Sequence, residues 1–147
     1  MSGAVRIRLA RSEERLALEA LQRRASLALP DYRAALEANP DAIELPAEQI
    51  SRGQVLVAEL DGEIAGFAVI IAKANSADLD GLFVDPKHWR KGVGTALVGA
   101  ATHEARRLGL SVTVVAEPRA RLFYEKCGFA VEGEAKTRFG PALRMSR

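Results

Sequence analysis

The stretch from Leu79 to Leu97 constrains the fold of this 147-residue chain more than any other. Leu82 and Val84 alternate at the period of a strand, but Leu79 falls one residue out of phase with them. A strand that buries all three needs an extra residue between them, a β-bulge, and Gly81 suits one. The strand then reaches Val84-Asp85-Pro86 and meets Trp89-Arg90-Lys91-Gly92-Val93-Gly94-Thr95 at the mouth of a helix. That order of parts makes a place for a phosphate. Backbone N–H groups at a helix start have no intrahelical partner, glycines admit an anion closely, and the helix dipole favours negative charge. Each such contribution is only about 0.3–1 kcal/mol when exposed, so several must act on one ligand, and Arg90 and Lys91 add formal charge. The bulge adds unpaired N–H and C=O groups that an amide-bearing ligand can use. Gly92 and Gly94 also suit a plain tight turn from strand to helix.

The rest of the chain supplies the frame. Residues 5–9 alternate as a strand, and Ser12 reads as an N-cap with Glu13 and Glu14 in a dipole-favoured first turn. Leu16, Ala20, Leu21 and Leu27 then predict a helical stripe ending before Pro30. A short helix is expected over residues 31–39 and a turn after Pro46. Residues 54–60 and 63–72 read as strands joined at Asp61-Gly62, a tight hairpin pair. Residues 77–84 form the bulged strand. From Val93 a helix repeats Leu97, Ala100, Ala101, Ala105 and Leu108 on one face and stops at Gly109. Residues 112–115 make a strand, a short helix carries Tyr124, and residues 130–135 and 139–145 close the fold as strands. Helices among mostly antiparallel strands with one strand–helix–strand crossover predict an α/β (α+β mixed-sheet) class, in one domain over residues 1–147.

Charge and composition remove several functions. A balance of 21 basic against 19 acidic residues is too even for a nucleic-acid binder, which needs a clustered basic face. One cysteine, Cys127, excludes an internal disulfide, and without a signal peptide the expected compartment is the cytoplasm. The longest uncharged apolar run, Ile64 to Ala72, falls far short of the roughly 20 residues that span a bilayer. With two histidines and one cysteine, no metal site is expected. A P-loop or dinucleotide fold is disfavoured too, because Gly-Lys-Ser/Thr and the third glycine of the dinucleotide fingerprint are missing.

Taken together, Leu82-Phe83-Val84-Asp85-Pro86, Arg90-Lys91-Gly92-Val93-Gly94-Thr95-Ala96-Leu97 and Phe123-Tyr124-Glu125-Lys126-Cys127-Gly128-Phe129 resemble the GNAT superfamily of acyl-CoA-dependent N-acyltransferases. The resemblance is strong from about residue 54 onward. One departure is Trp89, where that family usually carries Gln or Arg. The resemblance implies a central sheet splayed at the bulge, flanked by helices, with acetyl-CoA in the cleft. It implies a pyrophosphate on the N–H groups of Arg90, Lys91, Gly92, Val93, Gly94 and Thr95, and pantetheine amides paired with the backbone of Leu82, Phe83 and Val84. The expected activity is acetyl transfer to a primary amine, of a small molecule or a peptide, by direct attack in a ternary complex. A homodimer is compatible with the family. The alternative of another class is a non-catalytic acyl-CoA-binding module.

Candidate chemistry follows. Tyr124 is placed by the Phe-Tyr-x-x-x-Gly-Phe match as the acid for the departing thiolate; a phenol of pKa about 10 stays protonated at neutral pH. For the base, Asp78, Asp80 and Glu117 stand as alternatives; Asp78 lies eleven residues before Trp89, the spacing of a glutamate base in the histone-acetylating branch. Freeing a lysine-like amine at pH 7 costs roughly 4–5 kcal/mol, but an α-amine only about 1.4, so the demand on a base depends on the acceptor. Cys127 reads as a packed helix-end residue and His88 as a surface residue. The acceptor region falls at residues 23–43, with Tyr32, Glu37 and Asp41, and at the turn Arg138-Phe139-Gly140-Pro141.

Overall fold

A computed structural model describes residues 3–138 and 140–147. Its elements are β1 (Arg6–Leu9), α1 (Arg15–Leu27), α2 (Pro30–Ala38), α3 (Ala47–Ser51), β2 (Val55–Leu60), β3 (Glu63–Ala72), β4 (Ser76–Val84), α4 (Val93–Arg107), β5 (Ser111–Ala116), α5 (Arg121–Lys126), β6 (Ala130–Thr137) and β7 (Gly140–Ser146). The described strands form one seven-stranded sheet in the order β1-β2-β3-β4-β5-β7-β6. Every neighbouring pair is antiparallel except β4 with β5, which α4 connects as a crossover. The expected mixed sheet is what forms. The side chain of Tyr32 and residue Phe139, both named above on the acceptor side, lie outside the described residues.

The sheet is covered on both faces, which is why β3 is apolar without alternation. On one face Ala58, Leu60, Ala68 and Ile70 meet Val93, Leu97, Val98, Ala101 and Ala105 of α4. On the other, Val55, Val57, Phe67 and Val69 meet Leu18 and Leu21 of α1, with Leu45 and Ile50. Asp61 and Gly62 both take left-handed φ, 53° and 80°, so the β2–β3 hairpin closes in the two-residue turn their types favour.

Two helical stripes differ from expectation. Ser12 to Glu14 form a short 3₁₀ turn, and Glu14 rather than Ser12 provides the capping carboxylate, accepting the Arg11 N–H at 2.7 Å. Glu14 is held there by a two-point ion pair with Arg8 of β1. With α1 starting at Arg15, its buried residues are Leu18, Leu21 and Ala25, whereas Leu16 is 69% exposed. Leu16 and Leu18 sit about 200° apart around a helix, so only one can face the sheet. Likewise α4 buries Val98 and Thr102, while Leu108, beyond its last turn, stays exposed.

The bulge falls where the phase of Leu79 required it. Val69 of β3 faces Gly81 but the next residue, Ile70, faces Leu79, so Asp80 is the extra residue. Leu79, Leu82 and Val84 thereby share the α4 face, and Phe83 turns to the α1 side against Phe67, ring centroids 5.3 Å apart.

Candidate active site

The sheet opens just beyond the bulge. β4 pairs with β5 only from Ser76 to Asp78, and β5 continues against β7 from Thr113 to Ala116. Residues 79–84 therefore have β3 on one side and, among the described residues, no strand on the other. The gap is a cavity of about 750 Å³, walled by Leu79 to Val84 on one side and Val114 to Glu117 on the other. Gln22, Ala25 and Ser26 of α1 border it from one face, and Phe123 and Tyr124 of α5 from the other.

The start of α4 forms one end of this cavity. Gly92, its N-cap, has φ 81°, and Arg90 two residues earlier has φ 64°. These left-handed residues turn the chain sharply, so successive N–H groups converge into a concave nest. No side chain caps the helix and its first turn carries no acid, although α4 is fifteen residues long. Ala96 N–H to Gly92 C=O, 3.0 Å, is the bond that closes the first turn, so the amides of Val93, Gly94 and Thr95 precede the helical ladder. Gly94 packs closely under α5: a Cβ there would stand 3.3 Å from the Phe123 ring, which would have to give by a few tenths of an ångström. Leu82, Phe83, Val84, Arg90, Gly92, Val93, Gly94 and Thr95 all line the cavity; Lys91 is exposed beside it and does not. The donor set fits a diphosphate, with convergent amides and a cation at a helix N-terminus.

The Asp85 turn holds this loop in place. Asp85 is buried, its N–H donates to Ala65 C=O at 2.8 Å, and its carboxylate accepts Arg24 Nη2 at 2.8 Å. Burial opposes the charge of Asp85, but Arg24 and the Lys87 N–H outweigh it and hold the carboxyl below its ordinary value.

Tyr124 lies across the cavity from the open strand. Its ring is only 6% exposed and packs edge-on between Phe123 and Phe129, at 5.1 and 5.4 Å. Burial first, then neighbouring Cys127 and Glu117, pushes the phenol well above its usual range, so it stays protonated at any physiological pH. Glu117 and Asp80 both line the cavity.

Asp78 does not reach this space. Its carboxylate accepts the Thr113 hydroxyl at 2.6 Å and pairs with Lys73, bolting β4 to β5 at the last rung before the sheet opens. Lys73 first, then Thr113, holds its carboxyl below the ordinary value, which makes it a poorer base. The spacing from Trp89 pointed to Asp78, but Asp78 lies on the last β4–β5 rung and the cavity lining of β4 begins at Leu79.

His88 differs from its reading as a surface residue, and Trp89, noted only as a departure from the family pattern, acquires a partner. His88 is buried, 6% exposed, with Nε2 at 3.0 Å from Glu63 Oε2 across the sheet's end; its Nδ1 has no partner among the described residues. Trp89 Nε1–H donates to Val84 C=O at 2.8 Å. The signal for both was the Pro86-Lys87-His88 3₁₀ turn, whose N–H of Lys87 is met by the Asp85 carboxylate and which folds the chain back onto the strand it leaves. Cys127 is half-buried at the end of α5, as read, and burial raises its thiol pKa. On the acceptor side, Arg138 Nη2 spans to Asn39 Oδ1 and Asp41 Oδ1, at 2.9 and 3.1 Å. No described helix is long and apolar enough to cross a membrane.

Comparison with known proteins gives the family and the fold. The family model described as "Acetyltransferase (GNAT) family" matches residues 18–129. The 5-NmdU N-acetyltransferase of Pseudomonas phage PaMx11 is 37% identical over 97 residues, 63% of this chain and 69% of that protein. YafP of Escherichia coli K12, an uncharacterized N-acetyltransferase, is 32% identical over 82 residues, 56% of this chain and about half (49%) of its own length. In fold, the chain is similar to the PaiA N-acetyltransferase of Thermoplasma acidophilum, solved in complex with coenzyme A. The TM-score is 0.79 at 22% identity, over 99% of each chain.

Proposed function

The chain belongs to the acetyltransferase (GNAT) family, which makes it an acyltransferase, and from that premise we propose that it moves an acetyl group from acetyl-CoA to a primary amine by direct attack in a ternary complex. One observation carries the reading: the uncapped start of a fifteen-residue helix opens onto an unpaired strand segment, with a buried tyrosine across the gap. The amides from Arg90 to Thr95, with the Arg90 and Lys91 charges, receive the diphosphate; the backbone of Leu82 to Val84 receives the arm.

In the reaction, the lone pair of the neutral amine forms the new C–N bond at the thioester carbonyl carbon, giving a tetrahedral intermediate. Glu117 takes the surplus proton of the attacking nitrogen, directly or through a water. As the C–S bond breaks, Tyr124 donates its phenolic proton to the sulfur and is reprotonated from solvent. Glu117 is preferred over Asp78 because it lines the cavity with Tyr124, whereas Asp78 is committed to Lys73 and Thr113. Asp80 lines the opposite wall and is the remaining carboxylate of the cavity among the three candidates.

The test is release of free thiol from acetyl-CoA across a panel of amines. It includes α-amines, peptide N-termini, lysine-like amines and 5-NmdU, the acceptor in the phage relative's name. Thiol release with any of them, slowed about 10²–10⁴-fold by Tyr124→Phe, supports the reading. Silence across the panel, with coenzyme A bound tightly in a calorimeter, would instead favour the non-catalytic acyl-CoA-binding module.

A further inference from the structure

The open edge of β4 offers fewer hydrogen-bonding groups than its length implies. Asp85 N–H donates to Ala65 C=O, so Asp85 and, two residues back, Phe83 turn their backbone groups to β3. By the alternation of an antiparallel pair, Leu82 and Val84 turn theirs to the cavity. Past the bulge, from Gly81 to Val84, that makes four groups, but the Val84 carbonyl is already taken by the Trp89 indole N–H at 2.8 Å. Three remain: the N–H and C=O of Leu82, and the N–H of Val84. An amide lying at Val84 can therefore be held only through its oxygen.

The same bond fixes what Trp89 presents. Its one polar atom points at the strand, yet the residue is still 41% exposed and lines the cavity between Val84 and Arg90. What faces the cavity from it is hydrocarbon, at the junction of open strand and phosphate cradle. In coenzyme A the segment between the last amide of the arm and the diphosphate carries one hydroxyl and then, nearer the diphosphate, a quaternary carbon bearing two methyl groups, its most apolar part. Resting on the donor reading above, we propose that Trp89 is a donor-positioning residue. Its capped carbonyl ends strand pairing at Val84, and its ring is the wall against which that dimethyl-bearing carbon lies as the arm turns toward the cradle. Arg or Gln at this position would put a polar group there; Trp makes the same corner apolar.

Trp89 is the single tryptophan of the chain, so its fluorescence reports on this corner alone. The wild-type protein is titrated with coenzyme A, 4′-phosphopantetheine and 3′,5′-ADP, with calorimetry run alongside. A blue shift with coenzyme A and with 4′-phosphopantetheine, and none with saturating 3′,5′-ADP, is expected. A response to 3′,5′-ADP matching that of coenzyme A, with 4′-phosphopantetheine silent, would place the ring against the nucleotide and overturn the proposal. So would calorimetric binding of coenzyme A with no change in fluorescence; that result leaves the transferase reading standing. Absence of calorimetric binding removes both. Trp89→Phe keeps a ring but frees the Val84 carbonyl, and should weaken coenzyme A binding about two- to tenfold, as for one lost neutral hydrogen bond. Trp89→Ala also removes the wall, and a loss greater than that of Trp89→Phe is expected; equal affinity of both variants and wild type contradicts the proposal.

Discussion

Gly66→Ala should loosen the fold and the donor cleft together. Gly66 stands opposite Val84 in the β3–β4 register. A Cβ built on it lies 2.7 Å from the Phe83 carbonyl oxygen and 3.2 Å from both Val93 and Leu97 of α4. The oxygen belongs to a strand held in the sheet, so relief requires β4 to move by roughly half an ångström, and the first turn of α4 with it. Overpacking of this kind costs about 1–3 kcal/mol. For a chain of this size each kcal/mol moves the melting temperature by about 2–4 °C, so a fall of about 2–12 °C is expected. Because the displaced pieces are the open strand and the phosphate cradle, coenzyme A affinity should fall too, by about tenfold, equivalent to 1.4 kcal/mol. Gly99→Ala is the control. It lies within α4, has nothing within 4 Å of its would-be Cβ, and takes no left-handed φ. It should raise the melting temperature slightly, since Ala gains about 0.5–1 kcal/mol over Gly in a helix. Thermal unfolding followed by circular dichroism, with calorimetry for coenzyme A, measures both. A Gly66→Ala protein that melts with wild type and binds coenzyme A equally would refute the close packing of cradle, strand and core argued here.

Other outcomes follow from the same geometry. Once an acceptor is in hand, Tyr124→Phe should lower kcat by about 10²–10⁴-fold without moving the melting temperature by more than a few degrees; because burial raises the phenol, the wild-type alkaline limb should not fall until above the ordinary phenol range. Asp78→Asn and Glu117→Gln should separate structure from catalysis. Asp78 has a depressed carboxyl pKa, so its stabilisation is present above its unfolded pKa near 4 and is lost as pH falls through the folded value. Asp78→Asn should cost about 1 kcal/mol at pH 7, flatten that acid dependence and leave kcat within about twofold, whereas Glu117→Gln should cut kcat at unchanged stability. The reverse pattern would return the base role to Asp78. Arg24→Met strands the buried Asp85 carboxylate and should destabilise by about 1–3 kcal/mol at neutral pH. The deficit should shrink as the pH of chemical denaturation is lowered toward 4, where protonation relieves it.

Local pattern carried much of the architecture. Strand alternation, the Asp61-Gly62 turn and the phase error of Leu79 each depend on residues a few positions apart, so the order of elements and the bulge were readable without any partner. The uncapped amides at the start of α4, proposed above to hold a diphosphate, were readable for the same reason, since they and the neighbouring glycines and charges are contiguous from Arg90 to Thr95. The stripe of α1 was harder: Leu16, Leu18, Leu21 and Leu27 offer two apolar faces, and only the position of Leu45, Ile50 and Phe67 selects between them.

The sequence by itself determined the strands and helices, the extra residue in β4 and the convergence of amides at the start of α4, because backbone conformation and near-neighbour periodicity decide these. Only the tertiary structure decided which carboxylate enters the cleft, that His88 is buried against Glu63, and that the Trp89 indole consumes the last carbonyl of the open strand. The first two outcomes turn on partners brought together from 25 or more positions away along the chain. Trp89 and Val84 are only five residues apart, but a fold back through the Asp85 turn, anchored by Arg24 from α1, is what sets one over the other. A side chain's chemical role follows from what surrounds it, and the surroundings are assembled by the packing of the whole sheet.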